Sequence, residues 1–261
     1  MKKYLIPMLF AVLLTACPSK PKQLLTASEN YYDSVALPLK EGAPYCVRIF
    51  DNINYYKSSE PALAQSINDV LKIKLFGEDV SKNTETIPQA AQKFHDILYE
   101  DYKTNNVQAL EEDEDLEFDF IYNYEYETVG YETYLSDTRL SYCIERYVYL
   151  GGAHGINTRQ FVNFELPSGK LISEQDVFKG EYREPLHKIM LQQIVEQDDD
   201  VALVRDIEEK GYFPQNIYPN DNFFFTDSTI VFVFNPYEIG PYAFGDIEIE
   251  LPFSLISDYL K

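Results

Sequence analysis

Hydrophobic and polar residues alternate regularly on either side of Gly151-Gly152-Ala153-His154-Gly155. Upstream, Leu140, Tyr142, Ile144, Val148 and Leu150 share one parity, while Ser141, Cys143, Glu145 and Tyr147 take the other and Arg146 is the misfit. Downstream, Thr158, Gln160, Val162, Phe164 and Leu166 alternate against Arg159, Phe161, Asn163 and Glu165, until Pro167-Ser168-Gly169-Lys170 turns the chain again. A period of two is that of a half-buried strand. The stretch therefore predicts a β-hairpin around a glycine loop, where glycine admits positive φ and the close approach of another backbone or a ligand.

The same reading places further strands at Tyr45 to Phe50, Tyr131 to Leu135, Asn222 to Phe225, Thr229 to Phe234 and Ile247 to Leu251. The clearest alternation runs from Leu116 through Phe118, Phe120, Tyr122 and Tyr124 to Tyr126, an aromatic stripe that predicts a strand packed on helices. Helical spacing appears in Leu63, Ile67, Val70, Leu71 and Leu75 after Pro61, with Gly77 as the stop. A second stripe carries Ala90, Phe94, Ile97, Leu98 and Tyr102, with His95 expected on its solvated flank. Leu186, Ile189, Met190 and Ile194 predict a helix over 183–197, and a shorter one follows over 201–210. Strands and helices in separate runs predict an α+β fold: an antiparallel sheet covered by helices on one face, in two lobes dividing near residue 140.

The start of the chain adds a location. Lys2 and Lys3 precede an apolar run too short to cross a bilayer, and Leu14-Thr15-Ala16-Cys17 reads as a bacterial lipobox. The expected order is a lipoprotein signal peptide over 1–16, a lipidated Cys17 and a tether over 17–44. An N-terminal lobe over 45–140 and a C-terminal domain over 141–261 complete it. Cys17 would hold the protein to a membrane; Lys20 and Lys22 in place of acidic residues after the cysteine point to the outer membrane, facing the periplasm. Removing residues 1–16 leaves 20 basic against 43 acidic residues, a formal −23 compared with −21 for the whole chain. Such a field repels nucleic acid and attracts basic proteins. An oxidising compartment would let Cys46 and Cys143 pair, or leave two separate buried thiols; pairing is the preferred expectation.

Gly151-Gly152-Ala153-His154-Gly155, Asn163-Phe164, Ser168-Gly169-Lys170-Leu171, Asp176-Val177-Phe178, Asn222-Phe223 and Phe234-Asn235-Pro236-Tyr237-Glu238-Ile239 occur in that order, closed by Leu251-Pro252-Phe253-Ser254-Leu255. This succession resembles the C-terminal domain of the lysozyme-sensing anti-sigma factors of the RsiV type, a domain also found in peptidoglycan deacetylases of the PdaC type. The companion N-terminal domain of that family is matched over residues 43 to 140. The resemblance implies a binding scaffold, and it implies that the catalytic module of those deacetylases is a separate domain which this sequence does not contain.

No His-Glu-x-x-His, Cys-x-x-Cys, Gly-x-Ser-x-Gly or phosphate-loop pattern is present, so the common zinc hydrolase, serine hydrolase and nucleotide-triphosphatase signatures are missing. Glu111-Glu112-Asp113-Glu114-Asp115 lacks the spacing and glycine of a calcium loop and reads as a solvated acidic run; no metal or cofactor is expected. The candidate binding residues are Gly151, Gly152 and His154 on one loop, with Tyr237, Glu238 and Tyr242 on the proline-framed other. His154 is read as fixing its own loop. The expected function is capture of a basic wall-active protein such as lysozyme. A peptidoglycan or glycan module is the alternative, and a wall hydrolase centred on His154 ranks below both.

Overall fold

The computed structural model describes residues 27–57, 60–112 and 119–261. Among these residues nine strands fall into two sheets. The larger takes β1 (Ala27–Pro38), β2 (Cys46–Lys57), β3 (Tyr124–Leu135), β4 (Arg139–Leu150), β5 (Ile156–Glu165) and β6 (Leu171–Ile172), ordered as in the sequence. The smaller takes β7 (Phe223–Phe225), β8 (Thr229–Phe234) and β9 (Ile247–Pro252).

The larger sheet is not wholly antiparallel, because β2 and β3 run parallel. A parallel pair needs a crossover, and α1 (Pro61–Phe76), α2 (Glu78–Ser81) and α3 (Ile87–Glu112) supply it. Those helices bury their apolar stripes on one face of the sheet. Leu63, Ile67, Leu71 and Ala90 meet Ile53, Tyr142, Ile144 and Phe164, while Tyr102 closes over Val47 and Ile49. The second lobe adds α4 (Glu174–Val177), α5 (Arg183–Gln197), α6 (Ile207–Lys210) and α7 (Phe253–Ile256) around β7 to β9. Its core is phenylalanine-rich, with Phe178, Phe223, Phe225, Phe232 and Phe234 buried against Leu186 and Met190.

Several expectations need correction. Residues 27–38 of the expected tether form β1, because Tyr31, Val35 and Leu37 pack on the helices while the residues between them face outward; Cys17, the signal segment and residues 17–26 lie outside the described residues. The division near residue 140 falls inside β4, whose ladders to β3 and β5 run unbroken past it. The aromatic alternation does not carry a strand through residues 119–122. Residues 119–122 form a 3-10 turn, with Tyr122 buried beside Tyr45 and its carbonyl taking the Tyr102 hydroxyl at 2.7 Å, and β3 begins at Tyr124. Residues 113–118 lie outside the described residues.

Cys46 and Cys143 are free thiols. Cys143 pairs with Tyr131, one position beyond Gly130, which pairs with Ile53 on β2. Cys46 therefore lies seven to eight positions away along the strands, on the order of 25 Å at 3.3 Å per residue. A disulfide needs Cα atoms within about 7 Å.

The lobes are joined by asparagine side chains acting as strand surrogates. The free edge of β5 presents the Arg159 N–H to Asn235 Oδ1 at 2.7 Å and the Phe161 N–H to Asn222 Oδ1 at 2.8 Å. Both side-chain amides donate back to the Arg159 carbonyl. Deeper in, the buried Asn163 amide donates to the Phe223 carbonyl at 2.6 Å, and the Phe225 N–H donates to Ser141 Oγ at 3.1 Å. An edge that would otherwise expose backbone donors is thus satisfied by the neighbouring lobe.

Candidate functional site

The β4–β5 hairpin carries its glycine loop to the tip of the larger sheet. Gly151 has φ of +76°, and a Cβ there would sit 2.0 Å from the Ile121 carbonyl oxygen. Gly155 lies flat on the Tyr147 ring, where a Cβ would come within 2.2 Å of it. Gly152 has open space around it and plays no such part.

The second loop, 235–242, reaches the same place. The His154 ring stacks on Tyr242 at 4.3 Å between centroids, and Tyr237 lies 5.5 Å beyond Tyr242. The Tyr242 hydroxyl donates to the Gly155 carbonyl at 3.0 Å. His154 Nδ1 lies 2.9 Å from that same oxygen; since a carbonyl only accepts, the proton sits on Nδ1. Tyr237 holds φ of +74°, a costly backbone state for a non-glycine residue, and its side chain is 54% exposed. Glu238 is turned to another task. Its carboxylate accepts the Asn235 N–H at 3.0 Å and its carbonyl accepts the Asn216 amide, so it fastens the loop.

Beside this three-ring step lies a cleft of about 490 Å³ lined by Glu145, Asn157, Thr158, Arg159, Tyr242 and Asp246. Both of its cations are already committed, because Arg159 bonds Asp246 at 2.6 Å and Glu248 at 2.7 Å, and Arg146, also on its wall, donates to the Lys74 and Leu75 carbonyls. The two loops thus meet, a contact their separation in sequence did not reveal. Their chemistry is a rigid aromatic surface: His154 touches a ring and a backbone carbonyl, and among the described residues no carboxylate bonds it as an orienting partner.

A second cluster escaped the sequence reading. His95 is buried, not solvated, and its Nε2 lies 2.7 Å from Oδ2 of the equally buried Asp51. Its Nδ1 stands 3.6 Å from Asp33 Oδ2 and has no hydrogen-bond partner. Asp33 and Asp51 are direct cross-strand partners, so two carboxylates face one imidazole. The signal was available: Asp51 continues the buried parity of Val47 and Ile49, and His95 falls between Ala91 and Tyr102 on the apolar stripe of α3. Among the described residues no group of three or more His, Cys, Asp or Glu side chains is placed to hold a metal ion, and no helix is long and apolar enough to cross a membrane.

Two lobes, joined along the β5 edge and meeting at paired loops, define a class of α+β protein with two recognised halves. Residues 50–157 match the family model described as Deacetylase PdaC, and residues 175–254 match Protein of unknown function (DUF3298). Together the two matches support a DUF3298/PdaC-type family for this chain. Residues 158–174 lie between the two matches, a gap that opens inside β5, after the residue 140 boundary expected from sequence. A Bacillus subtilis relative, the peptidoglycan-N-acetylmuramic acid deacetylase PdaC, is 26% identical over 141 residues. That alignment covers 53% of this chain and 29% of the relative, so the chain spans less than a third of that enzyme. The crystal structure of a DUF3298 family member from Bacteroides fragilis superposes with a TM-score of 0.83 at 25% identity, covering 90% of this chain and 93% of the other. A DUF3298 family protein from Pseudomonas aeruginosa shares the fold, with a TM-score of 0.64 at 15% identity over 92% and 96% of the two chains.

Proposed function

We propose that this protein is a lipid-anchored envelope module that captures a basic, cell-wall-active protein such as a lysozyme, held by Cys17 to the outer membrane and facing the periplasm. The observation that carries the reading is the meeting of the two loops. It gathers Tyr237, Tyr242 and His154 into one rigid, exposed surface on a chain of net charge −21. Tyrosines held by their backbone supply contact area at little entropic cost. The negative field speeds encounter with a cationic partner. The resemblance to lysozyme-sensing domains points the same way.

A second reading keeps the site and changes the ligand. The row of rings is also a stacking surface for sugars, and the B. subtilis relative is named for a peptidoglycan substrate. Capture of lysozyme on the immobilised protein, at low and at high salt, separates the two. Charge-driven capture is expected at low salt, weakening as salt screens the field, with Tyr237→Ala reducing it about tenfold or more. Absence of lysozyme capture beside salt-insensitive binding of peptidoglycan fragments would replace the first reading by the second.

A further inference from the structure

The larger sheet has two faces, and among the described residues only one is fully covered. Cross-strand partners share a face, so the register sorts the residues directly. Val148, Tyr126, Ile49 and Val35 lie in one row and turn toward the helices. Tyr147, Glu127, Phe50 and Ser34 form the neighbouring row on the opposite face, followed by Tyr149, Glu125, Arg48 and Ala36. The smaller sheet covers that opposite face only around Cys143 and Phe161, where Val231 and Val233 pack. Beyond them, Glu127 and Arg48 are exposed, and Tyr147 and Tyr149 are half-exposed. Tyr32 from the next row is 64% exposed, its ring 5.5 Å from that of Phe50.

We propose that this bare half-face is an interaction surface continuous with the loop site, and that it docks the same basic protein partner. The inference rests on the reading given under Proposed function and extends its footprint. Continuity comes from Tyr147, whose ring lies against Gly155 directly beneath the His154 and Tyr242 stack. Partner chemistry comes from charge: Glu125 and Glu127 stand among the rings, and Arg48, the cation in these two rows, reaches Glu125 only at 4.0 Å. Aromatic anchors interleaved with two carboxylates against one cation suit a surface that presents arginine or lysine, through both ion pairing and contact with ring faces.

The test measures lysozyme affinity and its salt dependence for wild type, Tyr149→Ala, the Glu125→Gln/Glu127→Gln pair and Tyr237→Ala, with thermal melts of each. The face variants are expected to melt as wild type does. Tyr149→Ala should weaken binding about tenfold, and the paired glutamine variant should do the same while flattening the salt dependence. Wild-type affinity in both face variants overturns this inference whatever Tyr237→Ala does, and leaves the capture reading standing. No capture by the wild type overturns the capture reading and this surface with it.

Discussion

Removing the imidazole of His95 is the sharpest perturbation the core offers. In His95→Leu the Asp51 carboxylate, 3% exposed, loses the 2.7 Å hydrogen bond that satisfies it and still faces Asp33 across the β1–β2 ladder. Like charges directly opposite one another on paired strands repel. Breaking a buried pair by deleting one partner costs about 3–5 kcal/mol, because the other charge stays buried without compensation. The leucine fills most of the vacated volume, so a cavity adds little. A loss of about 3–4 kcal/mol is therefore expected, a drop of roughly 6–16 °C in Tm for a chain of this size. Replacing Asp51 and His95 together by leucine removes the stranded charge along with its partner and should restore most of the loss.

Urea unfolding of wild type, the two single leucine variants and the double variant closes a mutant cycle, with an unchanged slope confirming that compactness is preserved. A loss under about 1 kcal/mol in His95→Leu, or a double variant whose loss equals the sum of the singles, would show that the imidazole and the carboxylate are not energetically coupled. The reasoning about this cluster would then fail.

Two further predictions concern local devices. At the loop, Gly151→Ala should destabilise by about 2–4 kcal/mol, since it combines a left-handed φ with a Cβ driven into the Ile121 carbonyl, whereas Gly152→Ala should stay within about 0.5 kcal/mol of wild type; equal losses at the two positions refute the geometry. In α4, neighbouring carboxylates should show opposite pH dependence. Glu174 is held above the usual carboxylate range by burial, against Arg183 and the Tyr182 hydroxyl, so its contribution is present in acid and lost as pH rises through its folded value. Asp176 is held below that range by Lys170 and by the Ser173 backbone and hydroxyl, so its contribution is present above the unfolded value and lost as pH falls through the folded one. In chemical denaturation, wild type should gain on Glu174→Gln between pH 7 and pH 4, and should lose its advantage over Asp176→Asn only on going further, from about pH 4 toward pH 2; a loss against Glu174→Gln on acidification, or an advantage over Asp176→Asn that survives at pH 2, would be wrong.

Much of the architecture was legible because periodicity records burial. The hairpin of Arg139 to Glu165, the helix of Arg183 to Gln197 and the β7–β8 pair follow their apolar patterns closely. What escaped has a common cause: polar residues in core positions. His95 and Asp51 sit where apolar side chains are normally found, and a pattern scored on hydrophobicity reads them as surface. β1 was hidden in the same way, since Asp33 sits on the inward parity of a strand whose neighbours there, Tyr31, Val35 and Leu37, pack on helices. The parallel pairing of β2 with β3 is a property of the crossover, which local spacing does not record. At the site, the residues of both loops could be named from sequence, but their contact depends on strands far apart in the chain.

That contact has a structural cause in the asparagines. Asn235 binds the Arg159 backbone and is itself bound by Glu238, so the loop bearing Tyr237 and Tyr242 is fixed to the same strand that begins just after Gly155. Asn222 binds Arg159 and Phe161 from the β7 side, holding the smaller sheet against that edge. Segments containing these asparagines belong to the ordered set of motifs that carried the family resemblance, and their amides replace a strand that the fold does not supply. The aromatic step is therefore a product of the lobe junction: loosening the junction at Asn235 should separate Tyr242 from His154 even though neither ring has been touched.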